Sequence, residues 1–166
     1  SSLQTLECKQ NLLTSLNVSG CPALKSLECN LNQLVSLDLT ACAALTTLST
    51  GTNQLTTLNL DGCVSLKSLE CGKNQLVTLD LSDCVKLESI SCSSNQLTSL
   101  DLSMCPNLKT VKCYSNEMTV LNISGCYKLT SIDCRSNQIA ALNTAGLTAL
   151  LGLYCESNLL TSLDIS

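Results

Sequence analysis

Leucines separated by two residues and then by one alternate with short polar runs along the whole chain, and the pattern returns at one fixed period without an insertion or deletion. The stretch LKSLECGKNQLVTLDLSDCVK, from Leu66 to Lys86, serves as the template, and its first leucine recurs at Leu3, Leu24, Leu45, Leu87, Leu108, Leu129 and Leu150. A fixed period must be read before any single residue is interpreted. Leu69 and Cys71 stand two apart, as do Leu79 and Leu81, which is the period of a strand. Gly, Lys, Asn and Gln separate the two pairs, so no run is long enough to hold the 3.6 period of a helix. Serine and threonine at many of the outward positions favour strand and turn over helix interior. Each unit is therefore expected to make two short extended segments and little or no α-helix.

The unit divides into nested 10- and 11-residue motifs, LKSLECGKNQ and LVTLDLSDCVK. Both follow leucine, two residues, leucine, one residue, an apolar residue, two residues, then Asn or Cys. This resembles the leucine-rich-repeat signature L-x-x-L-x-L-x-x-N/C-x-L, and more narrowly the short bacterial class of 21-residue repeats, over essentially the whole chain. The resemblance implies a right-handed solenoid with a parallel sheet on one face and short extended or 3-10 segments on the other. It further implies recognition of a protein or glycan as the usual activity, and a parent protein of the bacterial surface or secreted kind.

One repeat cannot bury enough apolar surface to offset the conformational entropy of ordering its backbone and side chains, so the units must stack. The expectation is one solenoid domain, 1–166, of eight repeats in which each contacts only its neighbours. Neither end shows the polar cap that such arrays carry, which reads as a fragment of a longer protein, and open solenoid ends give a route to end-to-end self-association.

Three features repeat as columns. Asn11, Asn32, Asn53, Asn74, Asn95, Asn116, Asn137 and Asn158 hold one position in all eight units. An inward amide there is expected to satisfy backbone groups of its own and adjacent coils. The 13 cysteines fall on two positions: Cys8, Cys29, Cys71, Cys92, Cys113, Cys134 and Cys155 on the first, Cys21, Cys42, Cys63, Cys84, Cys105 and Cys126 on the second. Thr50 and Leu147 replace them where the columns break, which marks the sites as needing a small or apolar filler. No C-x-x-C spacing and no histidine occur, so zinc and thioredoxin-type readings lack their signatures and buried free thiols are expected. Cofactors are not expected.

The outward rows differ between the halves. Flanking the first cysteine, Glu7, Glu28, Ser49, Glu70, Ser91, Lys112, Asp133 and Tyr154 form one row, and Lys9, Asn30, Gly51, Gly72, Ser93, Tyr114, Arg135 and Glu156 the other. The second half is nearly constant, with Asn17, Asp38, Asn59, Asp80, Asp101, Asn122, Asn143 and Asp164, then Ser19, Thr40, Asp61, Ser82, Ser103, Ser124, Ala145 and Ser166. Asn, Asp and Ser at fixed places read first as turn chemistry; a calcium-binding carboxylate ladder is the sharper alternative. Recognition needs chemical variety on a rigid support, so the variable rows are the candidate surface. Their last three units bring together Lys112, Tyr114, Asp133, Arg135, Tyr154 and Glu156, a mixture rich in the Tyr and Arg that interface hot spots favour.

The net charge of −4 comes from 13 acidic and 9 basic residues with no runs, which gives no sign of nucleic acid binding or a membrane-surface face. No apolar stretch approaches the roughly 18 residues of a membrane span, so insertion is not expected. With no histidine, no phosphate loop and no singular carboxylate pair, catalysis is not expected either. The function expected is a non-catalytic interaction module; the alternatives are a structural spacer between other domains and a calcium-stabilised adhesin stalk.

Overall fold

A computed structural model describes residues 1–165. Ser166, the last member of the constant outward row, lies outside the described residues. Among the described residues twelve short strands follow one another: β1 Thr5–Glu7, β2 Ser26–Glu28, β3 Ser36–Asp38, β4 Thr47–Ser49, β5 Thr57–Asn59, β6 Ser68–Glu70, β7 Ser89–Ser91, β8 Ser99–Asp101, β9 Thr110–Lys112, β10 Val120–Asn122, β11 Ser131–Asp133 and β12 Gly152–Tyr154. There is no helix among the described residues.

The first half-motif builds one eight-stranded parallel sheet, ordered β1-β2-β4-β6-β7-β9-β11-β12. Its register is in phase throughout: Leu27 stands beside Leu48, Leu48 beside Leu69, Leu69 beside Ile90. Every centre residue points inward and its neighbours outward, so a step of one repeat carries each side chain to the same place on the next coil. Among the described residues the second half-motif forms strands in four units, which pair in two places, β3 with β5 and β8 with β10.

Two tight turns close each coil. In the first unit Cys21 N–H donates to Val18 O and Leu24 N–H to Cys21 O, and the same pair recurs down the stack. Pro22 and Pro106 sit at the second residue of the later turn, where a fixed φ is favourable and no amide donor is needed. Gly62, Gly125 and Gly146 take positive φ at the third residue of the earlier turn.

The core is one continuous cluster running from Val18 to Leu147, made of leucine with the cysteine columns, Ile, Val and Met118. Thr50 is fully buried in a cysteine column and its hydroxyl has no hydrogen-bond partner.

The asparagine column holds the corner after the strand. Asn95 Nδ2 donates to Cys92 O in its own coil at 3.0 Å and to Cys71 O in the preceding coil at 3.1 Å, while its Oδ1 accepts from Leu76 N–H at 3.0 Å. The same three bonds recur at Asn32, Asn53, Asn74, Asn116, Asn137 and Asn158; Asn11, in the first coil, reaches only carbonyls of its own coil.

The residue before each asparagine is left-handed. Gln10, Leu31, Thr52, Lys73, Ser94, Ser115, Ser136 and Ser157 have φ between 54 and 58°. None is Gly, so each carries a steric cost of roughly 1–2 kcal/mol, and β-branched Thr52 is the most strained. Sequence alone did not mark this row, because none of its residues is a usual left-handed former.

Replacing Asn95 with Ala would leave the buried Leu76 N–H without its partner and take one of the two amide donors from each of Cys71 O and Cys92 O, which keep Asn74 and Asn116, and should lower unfolding free energy by about 2 kcal/mol. Thr52→Gly should instead raise it by up to about 1 kcal/mol through relief of backbone strain, after the entropy penalty of glycine. Urea unfolding followed by circular dichroism measures both, and a neutral Asn95→Ala would remove the column from the account of stability.

Candidate functional site

The six residues selected from the variable rows lie together on the C-terminal part of the large sheet. In the register of β9, β11 and β12, Asp133 stands between Lys112 and Tyr154. Tyr114, Arg135 and Glu156 follow two residues later on the same three coils. Arg135 organises the group. Its Nε and Nη2 donate to Oδ1 and Oδ2 of Asp133 at 2.8 and 2.7 Å, a bidentate pair. Its guanidinium carbon lies 5.9 Å from the centre of the Tyr114 ring and 5.6 Å from that of Tyr154, within cation–π range of both. Glu156 Oε2 approaches Nε at 4.0 Å.

Asp133 is 13% exposed while Arg135 is 45% exposed, so the carboxylate fixes the guanidinium from beneath and leaves it presented to solvent. Hydrogen bonds from the Arg135 side chain hold the Asp133 carboxyl below its ordinary value, and Asp133 in turn raises Arg135. Gly152 seats the last ring: a Cβ there would stand 3.2 Å from Tyr154 Cε2. The bare backbone there gives the Tyr154 ring room, a feature that sequence reasoning missed because Gly152 looks like one small residue in a Ser/Thr row.

Elsewhere on the sheet the charges are spent locally. Lys9 pairs with Glu28 at 2.6 Å. Glu70 Oε2 accepts from Ser49 Oγ at 2.9 Å and from Gly51 N–H at 3.1 Å, and a side chain on Gly51 would collide with that carboxylate.

The constant row of the second half forms turns. The Oδ1 of Asn17, Asp38, Asn59, Asp80, Asp101, Asn122 and Asn143 each accepts from the backbone N–H two residues on, at 2.9–3.2 Å. Those bonds hold the Asp80 and Asp101 carboxyls below their usual range. No three acidic or thiol groups gather in a metal-holding arrangement among the described residues, so the calcium reading has no supporting geometry here.

All 13 cysteines are free. The core thiols are pushed up by burial: Cys29, Cys63, Cys105 and Cys126 to about 11, and Cys84, Cys92 and Cys134 to about 12. Several donate weakly to carbonyls of the preceding coil, as Cys126 Sγ does to Leu102 O at 3.2 Å. A nucleophile or metal ligand needs the thiolate, which these sites disfavour.

Among solved structures, the functional domain of InlJ from Listeria monocytogenes, described as including a cysteine ladder, is 27% identical with a TM-score of 0.79 over 98% of this chain. A leucine-rich-repeat protein of Leptospira interrogans is 25% identical with a TM-score of 0.88 over 96%. YopM, a leucine-rich effector protein from Yersinia pestis, is 29% identical with a TM-score of 0.83 over 96%. The chain spans 41%, 44% and 45% of the lengths of those three. No family model matches it, and no curated protein does. With parallel strands in register from one repeat to the next, the chain is a leucine-rich-repeat solenoid of the kind these bacterial proteins share.

The thiols make a pH prediction. An unfolded thiol ionises near 9.0, whereas the folded ones hold their protons to about 11 or 12, so the unfolded state releases protons first. Their stabilisation is fully present below pH 9 and is lost as pH rises from there toward the folded values. The slope should be on the order of 1 kcal/mol per pH unit for each buried thiol. Denaturant unfolding across this range, with thiolate absorbance followed alongside, should show thiolate appearing together with loss of structure. In the native chain near neutral pH, a thiol reagent should reach only half-buried Cys8, Cys21 and Cys155; rapid reaction of all 13 would contradict the burial.

Proposed function

We propose that this chain is a non-catalytic interaction module whose eight coils act as one rigid support for the variable rows of the large sheet. Lys112, Tyr114, Asp133, Arg135, Tyr154 and Glu156 form the contact centre. The observation that carries this reading is the stack Tyr114–Arg135–Tyr154 clamped by Asp133. Surface arginines and tyrosines ordinarily lose side-chain entropy when a partner binds; here the two rings and the guanidinium are already ordered, which lowers the penalty of association. Tyr and Arg are also the residues on which interface energy concentrates. Leucine-rich-repeat proteins of this kind are typically protein-interaction modules, which supports the same reading.

A protein partner is favoured over a glycan. A sugar ring stacks on a free aromatic face, whereas Arg135 already covers one face of each tyrosine. Lys112 Nζ makes no ion pair among the described residues, and together with the outward edge of Arg135 it suits acceptor groups on a polypeptide surface.

The test is a binding screen against protein and glycan libraries, run on the chain and on a variant carrying Lys112→Ser, Tyr114→Ser, Arg135→Ser and Tyr154→Ser. The inward columns are untouched, so the variant should fold. A protein ligand held by the parent chain should bind the variant at least a hundredfold more weakly, since truncating one hot-spot residue costs about 2 kcal/mol or more. Equal binding by both moves recognition elsewhere, and the absence of any ligand favours the spacer.

A further inference from the structure

The repeat gathers charges that lie far apart in the sequence. Five of the nine basic residues fall on two repeat positions flanking the first leucine of the unit: Lys25, Lys67 and Lys109 just after it, Lys86 and Lys128 just before it. Of the 13 acidic residues only Glu88 shares those positions. The backbone makes this a rigid edge. Thr46 N–H donates to Lys25 O at 2.8 Å, Lys67 to Thr46 at 2.9 Å, Glu88 to Lys67 at 2.8 Å, Lys109 to Glu88 at 2.8 Å and Thr130 to Lys109 at 2.8 Å. Lys25, Lys67 and Lys109 therefore stand on alternate coils, about 10 Å apart.

Glu88 bridges Lys67 at 3.9 Å and Lys109 at 2.7 Å, and Lys128 Nζ donates to Asn107 Oδ1 at 2.8 Å. The edge keeps a net positive charge on a chain whose total is −4. Asp83, three residues before Lys86 on the outer turn, accepts from Gly62 N–H at 2.8 Å.

Beside the lysines runs an exposed apolar column. Val64, Val85 and Tyr127 occupy one repeat position with Pro22, Ala43 and Pro106. Tyr127 is 63% exposed, yet its ring is seated: Cε1 is 3.1 Å from where a Cβ on Gly146 would be. Neither feature belongs to the sheet site.

We propose that this edge is a peripheral docking surface for an anionic phospholipid bilayer, with the Val64–Val85–Tyr127 column entering the headgroup boundary and Lys25, Lys67, Lys86, Lys109 and Lys128 meeting lipid phosphates. Charge complementarity selects an anionic partner, and the apolar column beside the charges selects a surface that has both phosphate and hydrocarbon. A soluble polyanion would use the lysines and leave the column in water. Lysine heads at the end of flexible stems and a tyrosine with one apolar and one polar end suit that boundary. The chain lies on the surface and does not cross it as a helix: no helix among the described residues is long and apolar enough to span.

The test is co-sedimentation with vesicles of phosphatidylcholine alone, and of seven parts phosphatidylcholine to three of phosphatidylglycerol, with soluble heparin as the competing polyanion. The chain should bind the mixed vesicles, leave the neutral ones, and release as salt rises. A variant with Lys67→Gln, Lys86→Gln, Lys109→Gln and Lys128→Gln should bind at least tenfold more weakly, and one with Val85→Ser and Tyr127→Ser severalfold more weakly, both with unchanged thermal melts. No binding to mixed vesicles, or equal binding by the lysine variant, overturns the proposal. So does heparin binding without vesicle binding, or vesicle binding that survives the serine pair unchanged, since either leaves a polyanion site in place of a bilayer surface. The Ser variant of the sheet site leaves this edge intact, so the two readings fail independently.

Discussion

Each coil turns its corner on an asparagine side chain. After the strand the backbone must swing out of the sheet, and it does so through a left-handed residue that is nowhere glycine. That conformation is unfavourable for every residue found there, from Gln10 to Ser157, and it exposes two carbonyls and one N–H to the core. The carboxamide of the next residue meets all three, joining its own coil to the one before. Because two of the three bonds cross between coils, a lone unit has no partner for them. The corner exists only in the stack, so local geometry and cooperative assembly are one constraint.

Once the corner repeats identically, position in the repeat becomes position in space. Strands in phase, backbone ladders and tight outer turns carry each side chain onto its equivalent in the next coil. Columns inside become core. The cysteines are examples: their size fits beside the leucines, burial raises their thiols, and they fill space as unreactive small apolar groups. Thr50, which fits by size but leaves its hydroxyl unpartnered, shows that shape is the first requirement at that position and polarity the second.

Columns outside become surfaces, and their chemistry depends on combinations between coils. Tyr114, Arg135 and Tyr154 come from three coils, and the Asp133 clamp holds the guanidinium against both rings while Gly152 leaves room for the second. The lysine edge arises in the same way from five separated residues. The two surfaces differ in kind. The first is a compact group around a held guanidinium, and the second a line of cations on flexible stems beside an apolar ridge.

Nearly all of the architecture was legible in the sequence. The period, the strand spacing within each half-motif and the invariant Asn11-to-Asn158 column follow from counting, and stacking follows because one unit cannot bury enough apolar surface to stand alone. The neighbourhood of Lys112, Tyr114, Asp133, Arg135, Tyr154 and Glu156 was legible too, since equal repeat positions must adjoin. What only the tertiary structure decided is how those side chains use one another: that Arg135 turns back onto Asp133 and lies against two rings, that Gly152 gives Tyr154 its place, and that the residue before each asparagine is left-handed. A period states which residues are neighbours. Rotamers, backbone strain and the charge balance of an edge depend on distances between coils, and those exist only once the chain has stacked.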